Sequence, residues 1–311
     1  MSAIILAGKP VAEAIKAEVS TEVAGLIDIH GIKPTLAVVR VGEDPASAVY
    51  VGSKVRTAAE IGIGSEHLHF AADTAEAEIV DVVATLNARD DIDGILVQLP
   101  LPAHINERRI LETIDPLKDV DGFHPVNAGR LLQGHESLVP CTPAGVIEVL
   151  RRSGIEIAGK RAVVVGRSNI VGKPMSVLLL QNDATVTICH SRTRDLAAIT
   201  READILVAAI GRAGFVRGEH IREGAVVVDV GINSVTDTGA VRELFPDDEQ
   251  ERRLAAINDR GATLAGDVNA RDAMAKAAAY TPVPGGIGLL TVAMLMKNTV
   301  TAARMRRLAS I

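Results

Sequence analysis

Short apolar runs recur along the chain at Thr35–Val41, Gly94–Val97, Ala162–Val165, Thr185–Cys189, Ile205–Ile210 and Ala225–Val230. They are rich in small and β-branched residues and are bounded by charges or glycine. Ala162–Val165 and Ile205–Ile210 carry no polar alternation, as expected of strands buried on both faces of a parallel sheet. Elsewhere the apolar positions take helical spacing. Val11, Ala14, Ile15, Val19, Val23 and Leu26–Ile27 predict a helix over 11–29. Further helices are predicted near 47–60, 75–86, 106–114, 144–152 and 290–308, and Gly62 and Gly64 are read as the stop of the second. Alternating strands and helices predict an α/β fold of two domains, the second a Rossmann-like doubly wound parallel sheet. The expected division is 1–140 with 281–311, and 141–280, the final helix returning to the first domain. The charged segment 237–260 is expected at the periphery.

The stretch from Gly159 to Thr193 organises the second domain. Strand Ala162–Val165 meets Gly166, Gly172 and Pro174 open a helix, and a second strand ends at Cys189. A glycine turn between a buried strand and a helix presents backbone N–H groups and a helix dipole to a pyrophosphate. The turn reads G-R-S-N-I-V-G, not the usual G-x-G-x-x-G, so a tight connection without ligand is the competing reading. Where an NAD site normally carries an acid, the second strand continues into His190, Ser191 and Arg192. Ser191 and Arg192, with Arg167 in the first turn, suit the 2′-phosphate of NADP. Gly211 and Gly231 end the next two strands, as a dinucleotide crevice requires.

Composition narrows the function classes. The 311 residues, 48% hydrophobic and 23% charged, are those of an ordinary globular protein. A net charge of −6, no Trp and 2% aromatic residues argue against nucleic acid and acidic membranes as partners. Cys141 and Cys189 lack metal-ligand spacing and read as reduced thiols of a cytoplasmic protein, with no metal expected. The N-terminus lacks a basic, apolar leader pattern, and prolines and glycines interrupt the uncharged stretch 277–296, so no membrane span is expected.

Candidate chemistry clusters at a few positions. Tyr50 and Lys54 are four apart on one helix face. Gln98 directly follows a buried strand, where parallel sheets place ligands. Asp119 and Asp121 lie in a turn-rich loop, where loop capping is the ordinary role. Thr281–Gly288 is a backbone-exposing loop before the last helix.

These pieces, in order along the whole chain, resemble the bifunctional methylenetetrahydrofolate dehydrogenase/methenyltetrahydrofolate cyclohydrolase family. The segments are YVGSK (50–54), DGILVQLPLP (93–102), KDVDGFHPVNAGRL (118–131), PCTPAG (140–145), GRSNIVGKP (166–174), CHS (189–191), GDVN (266–269) and TPVPGGIG (281–288). The resemblance implies an NADP-dependent enzyme of one-carbon metabolism, linked to purine biosynthesis. It also implies a homodimer, with tetrahydrofolate derivatives bound in a cleft between the domains. Lys54, Tyr50, Gln98 and Asp121 become the candidate catalytic residues. Substrate contacts are expected at Ser47, Tyr50, Val97, Gln98, Leu99, Asp121, Pro284, Gly285, Gly286, Ile287 and Gly288. Cofactor contacts are expected at Gly166, Arg167, Ser168, Gly172, Ser191, Arg192, Gly211 and Ile232.

The chemistry accounts for those residue types. A carboxylate such as Asp121 can accept both N–H donors of a pterin edge, and Tyr50 can stack on the aminobenzoyl ring. Gln98 can both donate and accept, and so can bond substrate and Lys54 together. Hydrolysis of a methenyl cation needs proton transfer, which a neutral amine can assist; desolvation and a neighbouring cation both favour that form. Tyr-x-x-x-Lys also marks short-chain dehydrogenases, but there it follows the dinucleotide turn within one domain, whereas here it precedes it. Two other readings stand beside this one: a dehydrogenase of single activity using NAD, and a catalytically silent dinucleotide-binding regulator. Leu289 stands where the family usually has proline, which puts the stiffness of the loop before it in question.

Overall fold

The computed structural model describes residues 2–308, with the side chain of Ala46 excepted. The first half contains β1 (Ile4–Ile5), α1 (Gly8–His30), β2 (Thr35–Val41), α2 (Pro45–Glu60), β3 (Gly64–Phe70), α3 (Glu76–Ala88), β4 (Gly94–Val97), α4 (Glu107–Thr113), α5 (Pro125–Leu132) and α6 (Cys141–Arg152). The second half contains β5 (Arg161–Val165), α7 (Gly172–Gln181), β6 (Thr185–Cys189), α8 (Leu196–Thr200), β7 (Ile205–Ala208), β8 (Val226–Asp229), β9 (Asn233–Val235), α9 (Thr238–Leu244), α10 (Asp247–Arg260), β10 (Thr263–Ala265), α11 (Ala270–Lys276), β11 (Ala279–Tyr280) and α12 (Ile287–Arg307).

Contacts divide the chain into two compact units. One comprises Ala12–Cys141 with the segment from Thr291 onward. Its parallel sheet has the order β3-β2-β4. Ala37, Val39, Ile79, Val83, Ile95 and Ile110 form its core. Strand β3, GSEHLHF, is too polar to signal a strand, and the glycine at its start reads as a helix stop. It forms because its backbone pairs along all of β2, from Thr35↔Gly64 to Val41↔Phe70. The last helix is tied into this unit by Asp93, which is fully buried. Its carboxylate accepts from Arg306 at 2.8 Å and from Arg307 at 2.7 and 2.9 Å. Lys118, 1% exposed, donates to the carbonyls of Leu86, Asn87 and Arg89 at 3.0, 2.7 and 2.6 Å. A lysine there completes the hydrogen bonding of the carbonyls at the end of α3, beside the backbone N–H groups that Leu86 O and Arg89 O also accept.

The other unit comprises the residues through Val11 with Thr142–Leu290. Its parallel sheet has the order β1-β11-β8-β7-β5-β6, and β9 and β10 form a separate antiparallel pair. The grouping differs from the expected division at both ends. The first residues join this unit because β1 pairs with β11, and the loop after β11 joins because Gly8 N–H donates to Gly285 O at 2.8 Å. Strands β7 and β8 stop at Ala208 and Asp229, two and one residues before the runs predicted for them end. Segment 237–260 is not merely peripheral: it forms α9 and α10, whose inner faces bury Val241, Leu244 and Arg253, with Phe245 buried between the two helices in sequence. Arg253 is held by Glu249 and by Leu264 O and Val283 O, with its guanidinium over the Phe245 ring. Among the described residues no helix is long and apolar enough to cross a membrane.

Candidate active site

Helix α2 starts where Pro45 sets the backbone and Asp44 accepts from Ser47 N–H at 2.7 Å. This places Tyr50, 41% exposed, one turn before the half-buried Lys54. Lys54 Nζ donates to Gln98 Oε1 at 2.9 Å. Gln98 follows β4 directly, and its Nε2 donates to Leu99 O at 2.7 Å, so its carboxamide is fixed with the oxygen toward the lysine. Ser47 and Val97 are buried, Val97 within the apolar core, so neither side chain offers much to a ligand. Leu99 is half-buried.

The two loop acids have different fates. Asp119 accepts from His124 N–H at 2.8 Å and Asn127 Nδ2 at 2.9 Å, the capping role ordinary for such a loop. Asp121 lies close enough to Lys54 to feel its charge. Burial pushes its carboxyl up to about 6, the Lys54 charge opposes the rise, and Asp119 adds to it. The loop is tightly seated. Gly122 has φ +73°, and a Cβ there would lie 2.5 Å from Pro140 N. Asn298, on α12, donates to Val120 O and Val139 O, both at 2.8 Å. Cys141 beside them donates to Val120 O, and burial pushes its thiol well up.

In the other unit, β5 and β6 are neighbours in register Val165↔Cys189, so the residues beyond them emerge side by side. Gly166 has φ +139°, and a Cβ there would meet Ala209 O at 2.1 Å; one at Gly172 would meet Gly166 O at 2.3 Å. Only glycine permits this turn. Ser168 Oγ accepts from Val171 and Gly172 N–H, both at 3.2 Å, and so caps α7 from within the turn. Arg167, Ser191 and Arg192 are all exposed, with no carboxylate among residues 190–194. A backbone cradle that excludes side chains, beside a serine and two arginines, fits a phosphorylated dinucleotide.

Gly211, φ +77°, is open to solvent after β7, and Ile232 is 47% exposed after β8. A Cβ on Gly288 would lie 3.4 Å from Ile232 Cδ1, so the expected cofactor and substrate residues meet here. The loop from Pro284 to Gly288 is anchored without the family proline. Arg253 donates to Val283 O at 2.9 Å, Gly8 N–H to Gly285 O, and Leu289 N–H to Gly286 O at 3.4 Å. Leu289 is exposed.

Sequence reasoning missed two buried acids here. Asp229 accepts from the N–H groups of Gly231, Asp267 and Val268, each at 2.9 Å, and burial pushes its carboxyl up to about 7. Asp267 accepts from Ile210, Gly211 and Arg212 N–H at 2.5, 2.9 and 2.8 Å. The only signal for them was the position of Asp229 at the end of a strand and of Asp267 in GDVN.

With this geometry, residues 6–121 match the family model of the tetrahydrofolate dehydrogenase/cyclohydrolase catalytic domain, and 140–307 that of its NAD(P)-binding domain. The chain belongs to the tetrahydrofolate dehydrogenase/cyclohydrolase family. The bifunctional protein FolD of Koribacter versatilis is 52% identical over 308 residues, covering 99% of each chain. The FolD structure from Campylobacter jejuni has a TM-score of 0.87 at 41% identity, covering 98% of this chain and 100% of that one. The dehydrogenase-cyclohydrolase from Trypanosoma brucei, solved with NADP cofactor and an inhibitor, has a TM-score of 0.87 at 40% identity, covering 98% of each chain. In family terms, Lys54, Gln98 and Asp121 fall in the catalytic-domain match, and the turn from Gly166 to Gly172 in the NAD(P)-binding one.

Proposed function

We propose that this family member oxidises 5,10-methylenetetrahydrofolate to the methenyl form with NADP and hydrolyses that product to 10-formyltetrahydrofolate, using Lys54 for proton transfer in the second step. The observation that carries the proposal is the Lys54 Nζ held at 2.9 Å on a fixed Gln98, within the electrostatic reach of Asp121. Arg167, Ser191 and Arg192 would hold the 2′-phosphate of NADP and the Gly166–Gly172 turn its pyrophosphate, and the bound cofactor would supply the hydride acceptor for the methylene carbon.

The chain's residues then have distinct tasks. Asp121, ionised, accepts two N–H groups of the pterin edge. The exposed Tyr50 ring packs on the aminobenzoyl group. Gln98 aims the amine of Lys54. In hydrolysis the Lys54 amine, relieved of its extra proton by the methenyl cation bound beside it, takes a proton from water as the water oxygen bonds to the methenyl carbon. The resulting ammonium returns a proton to the ring nitrogen as its carbon–nitrogen bond breaks, and the new hydroxyl loses its proton as the formyl C=O forms. Assembly as a homodimer in the cytoplasm, supplying formyl groups for purine biosynthesis, belongs to the same reading.

A two-wavelength assay with methylenetetrahydrofolate and NADP tests it, following NADPH and the methenyl intermediate separately. NADPH should form with little methenyl accumulation; absence of either activity refutes the corresponding half.

A further inference from the structure

In the dinucleotide-binding unit, three consecutive N–H groups, those of Ile210, Gly211 and Arg212, converge on one carboxylate, that of Asp267. Successive amides aimed at one point form an anion-binding nest. This nest lies beyond the carboxyl end of β7, where such sheets receive ligands. It is filled by the protein's own side chain.

The remaining capacity of that carboxylate is also used. Its Oδ1, which accepts from Arg212, also accepts from Asn233 Nδ2 at 2.9 Å, while Oδ2 serves Ile210 and Gly211. Four donors saturate an ionised carboxylate. Two of them flank candidate cofactor positions: Arg212 follows Gly211, and Asn233 follows Ile232. Asp267 is itself held from below, its N–H donating to Asp229. The approach is so close that a Cβ on Gly231 would lie 2.3 Å from Asp267 Cγ.

We propose that Asp267 is a positioning residue for the dinucleotide. It ties the turn after β7 to the turn after β8, so that Gly211 and Ile232 are presented together, and it closes the second amide nest to phosphate. The pyrophosphate is thereby left with the Gly166–Gly172 turn as its one backbone cradle on this sheet edge. The inference rests on the dinucleotide reading above.

The test is NADP titration by calorimetry on the full chain and on Asp267→Ala and Asp267→Asn, with hydrolysis of methenyltetrahydrofolate and far-UV circular dichroism measured alongside. Failure of the unsubstituted protein to bind NADP overturns the dinucleotide reading, and this inference with it. Where it binds, both variants should weaken NADP by about tenfold or more while hydrolysis changes by less than about twofold. Acetate should restore part of the affinity in Asp267→Ala, whose nest is empty, and not in Asp267→Asn, whose amide fills it. NADP affinity within about twofold of the unsubstituted protein overturns the proposal. So does a loss in Asp267→Ala that acetate does not reverse, or variants that lose secondary structure, since either assigns the carboxylate a purely structural role.

Discussion

Lys54 and Gln98 form a hydrogen bond of 2.9 Å between a helix and the residue following a strand, and the Gln98 amide is turned by a second bond to Leu99 O. The amine is therefore aimed by a group that cannot itself carry a proton. Hydride transfer has no proton to relocate, whereas hydrolysis passes two proton transfers through Lys54. General acid–base assistance is typically worth ~10²–10⁴-fold. Lys54→Met, which keeps the stem and removes the amine, should lose nearly all cyclohydrolase activity, retain measurable dehydrogenase activity and accumulate the methenyl intermediate. Equal loss of both activities would reduce Lys54 to a positioning role.

Asp121→Asn keeps the size of the side chain but turns an N–H toward a donor edge. Leaving a buried donor unpaired costs ~1–3 kcal/mol, so folate KM should rise on the order of tenfold to a hundredfold in both activities, with KM for NADP unchanged. Unaltered folate KM would remove Asp121 from the substrate site.

The same carboxyl sets a pH limb. Its folded value, about 6, lies above the ordinary 3.8, because burial disfavours the charge. Its contribution to stability is thus full below about pH 4 and is lost as pH rises through about 6. Binding requires the ionised form, so kcat/KM for folate should rise with pH through about 6. The Lys54 charge opposes the upward shift, so in Lys54→Met the dehydrogenase limb should move to higher pH. A pH profile unchanged by Asp121→Asn would assign the limb elsewhere.

Arg167→Ala should raise KM for NADP far more than KM for NAD, because only NADP carries the 2′-phosphate a guanidinium pairs with. Steady-state kinetics with both cofactors decide it; an equal effect places Arg167 away from that phosphate.

Asp93→Ala removes the anion that Arg306 and Arg307 share and the acceptor for Thr35 N–H. Breaking a buried ion pair costs about 3–5 kcal/mol, an upper figure here because both arginines reach solvent in part. The denaturation midpoint of the unit holding Lys54 should fall clearly. Asp93→Asn, which preserves some hydrogen bonds, should fall less. No change would show that α12 docks through its apolar residues alone.

The strands β2, β4, β5, β7 and β8 were legible because a strand covered on both faces must be apolar throughout, and that leaves a local mark. The glycine turn at Gly166 was legible for a like reason: a positive φ is settled by a few adjacent residues. Lys54, Gln98 and Asp121 could be singled out by residue type and by likeness to a family. Their mutual arrangement could not, since Gln98 reaches Lys54 only through the packing of α2 on the sheet that β4 shares with β2 and β3.

Tertiary structure decided the rest wherever a group's partner is distant in the chain. It divided two like acids, pairing Asp119 with His124 and Asn127 and leaving Asp121 to Lys54. It made a strand of polar GSEHLHF, because β2 supplied the backbone partners that composition could not suggest. It brought Arg306 and Arg307 from the end of the chain to Asp93. It also put the Asp267 carboxylate into a turn more than fifty residues earlier. Hydrophobic period and turn chemistry act between neighbours and so are written locally. A buried charge or hydrogen-bonding group must find its partner in three dimensions, and nothing in its own stretch of sequence says where that partner will be.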